Sequence, residues 1–176
     1  MGIISKLFGK GEPLTDVIEI LTSQHEEVDA LFAKIESGEG NRRQLFTQLA
    51  DSLAAHATVE EKLFYPAVMA KQTEDMLHES VEEHLSIKRL LADLIALDTD
   101  DEQFLPKIGV LKEQVAHHAH EEEEKKLFPK VKDLFDADQR AGIGNEVIAM
   151  FDELMLSHPY RNVPSETDAA APLPSP

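Results

Sequence analysis

Four segments of this chain have helical periodicity, and each carries a histidine inside its own apolar stripe. His25 is followed 31 residues later by His56, and His84 is followed 34 residues later by His118. A carboxylate stands four residues after each second histidine, Glu60 after His56 and Glu122 after His118. Residues at i and i+4 share one face of a helix. Glutamate is almost never buried without a partner. Six ionisable groups on four core-facing stripes therefore demand a helical bundle whose centre is a site.

The stripes define the expected helices. Leu14, Leu21, His25, Val28 and Phe32 share the first, with Thr15 or Asp16 as cap and Gly38–Gly40 as stop. Leu45, Leu49, His56, Glu60 and Leu63 share the second, which Pro66 kinks or ends. Leu77, Val81, His84, Lys88, Leu91 and Ile95 line the third, expected over about Asp75 to Leu97. The polar run Asp98–Asp101 offers caps for the fourth, where Phe104, Ile108, Leu111, Val115, His118 and Glu122 align. Pro106 falls in or near its first turn, where a missing N–H costs little, and Pro129 breaks the pattern. A fifth stretch carries Val147, Met150, Phe151 and Leu154. No segment alternates with period two, so no sheet is expected.

Four long helices with short loops predict an all-α fold, an antiparallel up-down-up-down four-helix bundle with an additional C-terminal helix. The expected divisions are a flexible tail at 1–13, the bundle at 14–135, an accessory helix at 136–158 and a disordered Pro/Ala-rich tail at 159–176. The accessory helix would lie against the bundle or pair two copies in a homodimer. The length of 176 residues suits one domain.

An internal repeat sets His56–Pro66 beside His118–Pro129, with Glu-Glu and Lys-Leu-Phe in both, and predicts a pseudo-twofold relation between helix pairs. Its register is open by one residue. Helical rotation favours His118 with Glu122. Alignment on Lys-Leu-Phe favours His120 with Glu124, and alignment on the prolines puts Ala119 in the histidine's place. His118 with Glu123 is a third choice, and one extra residue near Lys125–Lys126 would account for the mismatch.

Composition narrows the chemistry. There is no cysteine, so thiolate zinc sites, iron–sulfur clusters and disulfides are excluded. The formal charge is −17, the wrong sign for a general binder of phosphate backbones or anionic membranes. No apolar run reaches the ~18–20 residues of a membrane span. The first ten residues hold too short an apolar stretch for a signal peptide, and Lys6 stands where a myristoylation motif wants Ser or Thr. A cytoplasmic protein is expected.

His with Asp or Glu suits iron, manganese or zinc. Two adjacent divalent ions would balance both carboxylates and use neutral imidazoles as donors. The competing arrangement is a metal-free helical interaction protein with buried Glu–His pairs, each closed by a charge-assisted hydrogen bond. Burying several ionisable groups that way costs several kcal/mol per ion. The ferritin-like order Glu-x-x-His is not the one present.

The order of motifs resembles the hemerythrin-like (HHE cation-binding) family. The residues that carry the resemblance are His25, His56-x-x-x-Glu60-Glu61, Glu83-His84, and His118 with a following carboxylate and Leu127-Phe128-Pro129. It covers about residues 14–135. The resemblance implies a non-haem di-iron centre in a four-helix bundle. His25 and His56 would hold one iron, and His84 and His118 the other. Glu60 and Glu122 would bridge, together with an oxo or hydroxo group, and zinc or manganese are substitutes. The implied ligand is dioxygen, peroxide or nitric oxide, and the implied roles are binding, sensing, iron storage, or reduction of peroxide or nitric oxide. One departure stands out: oxygen-carrying hemerythrins have another histidine four residues after the third-helix one, where this chain has Lys88. Lys88 would then stand near bound oxygen species or carry its ammonium out to solvent. Tyr65 is read as a packing residue beside the site, and His78, His117, His120 and His158 as solvated or peripheral.

Overall fold

In the computed structural model, residues 14–176 are described; the expected 1–13 tail lies outside them. Every regular element among the described residues is helical. Helix α1 runs over Val17–Ser37, with the Asp16 carboxylate accepting from the Ile18 N–H and Gly38 closing it in the left-handed conformation. Helix α2 (Arg42–Val59) is capped by Asn41. It continues without a break through a π-helical turn, Glu60–Phe64, into the short α3 (Tyr65–Ala67). Helix α4 is Glu74–Ala96 and α5 is Phe104–Ala116. A long π-helical stretch, His117–Leu127, then leads into α6 (Phe128–Leu134). Helix α7 is Ala137–Met155, opened by a capping box between Asp136 and Gln139.

The two prolines do not end their helices. Pro66 and Pro129 sit in the first turns of α3 and α6. Just before each, a backbone N–H reaches back five residues: Tyr65 to the Glu60 carbonyl and Phe128 to the Glu123 carbonyl. Proline has no N–H and crowds the carbonyl four residues earlier. Widening the preceding turn to i→i+5 bonding keeps the helix continuous.

Helices α1, α2, α4 and α5 with their π extensions make the bundle, and their histidines form a polar belt through its core. Below the belt lies one apolar block, including Leu21, Val59, Phe64, Leu77, Val81 and Phe128. Above it lies another, including Phe32, Leu49, Leu91, Phe104, Ile108 and Leu111. Each block removes large side chains from water, ~1.5–3 kcal/mol apiece, and so fixes the helices that aim the belt inward. Helix α7 packs Val147 and Phe151 into the lower block, the intrachain one of the two places expected for it. No described helix is long and apolar enough to cross a membrane.

The segment after α7 departs from the expected disordered tail. Pro159–Ser165 forms a 3-10 helix, and Val163 is buried in the upper block. The side chains that anchor it are few. The His158 Nδ1 lies 2.8 Å from the buried Asp51, Glu166 pairs with Lys88 at 3.1 Å, and Arg89 donates to the Thr167 and Asp168 carbonyls. Ala170, Ala171 and Leu173 reach the lower block.

Candidate metal centre

The structure brings together five of the six residues read from the sequence: His25, His56, Glu60, His84 and His118. It does not bring in Glu122. The carboxylate that joins them is Glu123, fully buried, while Glu122 turns outward onto Lys126 at 2.7 Å. The cause is the π-helical stretch. In an α-helix, a residue five positions on lies about 140° away from its partner. Between His117 and Leu127 the bonding is π-helical, and His118 and Glu123 come onto one face. The extra residue of the second repeat is thus absorbed between His118 and Glu123, not near Lys125–Lys126.

The donors fall into two groups that share Glu60. His25, His56, Glu60 and Glu123 form one; Glu60, His84 and His118 form the other. The His25 and His56 Nε2 atoms face each other at 3.2 Å, and those of His84 and His118 at 3.0 Å. Glu60 spans the groups, its Oε1 3.2 Å from the His56 Nε2 and its Oε2 3.1 Å from the His84 Nε2. Glu123 Oε2 lies 3.2 Å from the His25 Nε2 and 3.7 Å from the His118 Nε2.

An outer ring of acceptors orients every imidazole. The Nδ1 of His25 is bonded to Glu124 at 2.7 Å, that of His84 to Glu61 at 3.0 Å and that of His118 to Glu83 at 2.6 Å. The Nδ1 of His56 is bonded to the Gln24 Oε1 at 2.7 Å. An acceptor oxygen at each Nδ1 places a proton there and leaves the Nε2 lone pair facing inward. Four bare nitrogens and two carboxylates around one small space need positive charge among them. Glu60 Oε1 and Glu123 Oε2 are buried without a hydrogen-bond donor, which leaves both free to ligate a cation. The residues present therefore fit a metal pair.

In the metal-free protein, protons supply that charge. Burial alone would lower the His25 pKa, but the Glu123 and Glu124 carboxylates raise it to about 9. Burial acts the same way on His118, and Glu123, Glu60 and Glu83 raise it to about 10. Both folded values exceed the unfolded value of about 6.5. Their contribution to stability is therefore complete below about pH 6.5 and is lost as pH rises through 9 to 10. A metal ion held here would take the same nitrogens and expel the protons. The melting temperature of metal-free protein should fall between pH 7 and pH 10 while affinity for divalent ions rises. Calorimetry across that range checks both, and a flat metal-free profile contradicts the assignment.

Two more residues stand where sequence reasoning had not put them. Tyr65 is fully buried, and its hydroxyl donates to Glu123 Oε1 at 2.9 Å. The same oxygen is 3.2 Å from Glu60 Oε2, 3.3 Å from the His84 Nε2 and 3.4 Å from the His118 Nε2. It belongs to the site rather than to the packing around it. Burial, Glu123 and Glu60 push its pKa well above the usual phenol value, so it holds its proton. Lys88 neither lines the cavity nor reaches open solvent. It is buried and pairs with Glu61 at 2.8 Å and Glu166 at 3.1 Å, so it acts on His84 only through Glu61. His120 links Glu124 to Asp29, while His78 is exposed and His117 is 58% exposed at its side chain.

On the side of the histidines away from Tyr65 lies a cavity of about 30 Å³. Its walls are the aliphatic Val28, Leu53, Ala57, Ile87, Val115 and Ala119 with the carboxylate of Asp29, and all four histidines border it.

Comparison with known proteins gives one family. The sequence model of the hemerythrin HHE cation binding domain matches residues 16–131. A Nostoc protein named DNA nickase is 25% identical over 126 residues, 70% of this chain and 36% of that protein. The chain thus spans about a third of that relative's length. A crystal structure of a hemerythrin HHE cation binding domain-containing protein from Mycobacterium kansasii superimposes with a TM-score of 0.72. Sequence identity is 22%, over 82% of this chain and 90% of that one, a likeness of fold.

Proposed function

Since the chain belongs to the hemerythrin HHE cation-binding domain family, we propose that its buried cluster holds two iron ions and binds a small oxygen or nitrogen species. His25, His56, Glu60 and Glu123 would hold one ion, and His84, His118 and Glu60 the other. The observation that carries this reading is the set of four inward Nε2 atoms with two carboxylate oxygens lacking any donor. A mixture of imidazole and carboxylate donors suits iron, with manganese and zinc as substitutes. When bound, the ions would supply the electron-transfer chemistry that dioxygen, peroxide or nitric oxide requires.

The chain's own residues set what can approach. A single water needs about 10–15 Å³, so a 30 Å³ cavity takes a diatomic molecule or peroxide and excludes larger organic substrates. Its walls are aliphatic apart from Asp29, whose negative charge disfavours an anionic guest. The Tyr65 hydroxyl keeps a proton within the donor set and hands its hydrogen bond to Glu123.

A second reading is an enzyme that reduces peroxide or nitric oxide. The observation favouring it is the same tyrosine, a proton-bearing hydroxyl within 3.4 Å of Glu60, Glu123 and the His84 and His118 Nε2 atoms. The two readings separate by turnover. Iron-loaded protein given peroxide or nitric oxide with excess reductant should stop at stoichiometric consumption if it binds or senses. Continued consumption that slows in Tyr65→Phe makes it an enzyme. The nicking activity named for the Nostoc relative is not carried over. This chain spans 36% of that protein, and a formal charge of −17 is the wrong sign for a phosphate backbone.

A further inference from the structure

The internal repeat extends beyond the donors. His25 and His84 occupy equivalent places, as do His56 and His118, and Glu60 and Glu123. Behind them, Glu61 and Glu124 are equivalent and do the same work, each holding the Nδ1 of a histidine from another helix. Gln24 and Glu83 are also equivalent: each immediately precedes a histidine and holds the Nδ1 of the second histidine in its half. Here the symmetry breaks. Three imidazoles are held by carboxylates and one, His56, by a neutral amide.

A carboxylate accepting from Nδ1–H makes the opposite nitrogen a stronger donor than an amide does. A second break lies beside it. Phe128 stacks on His25 with ring centroids 6.0 Å apart, in the place where Tyr65 brings its hydroxyl to His84 and His118. Tyr65 keeps its proton and donates to Glu123, which is grouped with His25 and His56, so it marks the halves as unlike without adding a donor to either. Packing does not explain the amide. Gln24 is buried, and its Nε2 has no acceptor, so the amide is not kept for a second hydrogen bond.

We propose that Gln24 makes the two metal positions unequal by leaving His56 the weakest imidazole donor of the four, so that the His25/His56 position binds less tightly than it would with a carboxylate behind His56. This rests on the metal reading of the preceding subsection. The test is anaerobic calorimetric titration of the full chain with ferrous iron, comparing wild type, Gln24→Glu and Glu83→Gln. Wild type should bind in two resolved steps. Gln24→Glu should tighten one step by ~10-fold and leave the other in place, and Glu83→Gln should loosen that other step by ~10-fold. The proposal is overturned if wild type shows two identical steps, if Gln24→Glu leaves both steps unchanged, or if the two variants act on the same step. Absence of any ferrous binding by wild type is a different result and overturns the metal reading itself.

Discussion

Glu123→Gln should weaken metal binding on the order of a hundredfold or more, while Glu122→Gln, one residue away, should leave it nearly unchanged. The scale follows from outer partners, whose loss alone costs roughly 10–100-fold; Glu123 is placed as a direct donor. Glutamine keeps the size of the side chain and an oxygen for the Tyr65 hydroxyl, so the fold retains that hydrogen bond. What it removes is the negative charge and an oxygen that now has no donor. Glu122 instead makes a surface pair with Lys126, and such pairs contribute ~0–1 kcal/mol. Competition against a coloured chelator measures both variants side by side. Equal losses at 122 and 123, or a loss at 122 alone, would return the second carboxylate to the α-helical register.

Among the glycines of the described residues, Gly144→Ala should be the most damaging change. Helix α7 crosses the start of α1 at this glycine, where an added Cβ would stand 1.9 Å from the Thr15 carbonyl oxygen and 2.9 Å from Ile20 Cδ1. The first obstacle is backbone and cannot rotate away. It is also tied down, since the neighbouring Asp16 caps α1 and accepts from Arg140 at 2.8 Å. Overpacking costs about 1–3 kcal/mol, and an immovable backbone obstacle puts this case at the upper end, which lowers the melting temperature of a chain this size by roughly 6–12 °C. Gly142 is the control. It lies two residues earlier on the same helix with nothing within 4 Å of its Cβ position, and Gly142→Ala should be neutral or stabilising. Because α1 carries Gln24 and His25, displacing its start also predicts weaker metal binding in Gly144→Ala alone.

The histidines were legible because polarity betrayed them: an imidazole in an apolar stripe has no reason to be there unless it meets something. The same logic found Glu60, whose spacing from His56 is α-helical. It failed at Glu123 because the rotation assumed was that of an α-helix, and hydrophobic periodicity does not report a switch to i→i+5 bonding. The sign of it lay in the repeat, where both glutamates stand six residues before proline but stand four and five residues after their histidines. Tyr65 was hidden for a related reason: a buried aromatic beside a proline reads as packing, and only coordinates show where its hydroxyl points. The segment from Pro159 was misread because its composition is that of a disordered tail. Its order comes from single anchors, chiefly Val163, His158 and Glu166, which no average over the segment registers.

The metal content of the full chain after anaerobic loading with ferrous iron, followed by an optical spectrum before and after air, tests the central claim most directly. The account predicts about two irons per chain, as in other di-iron bundles, and new near-ultraviolet absorption on oxidation. One iron or fewer, with a spectrum unchanged in air, would contradict it and leave the belt as a set of buried proton-sharing Glu–His pairs.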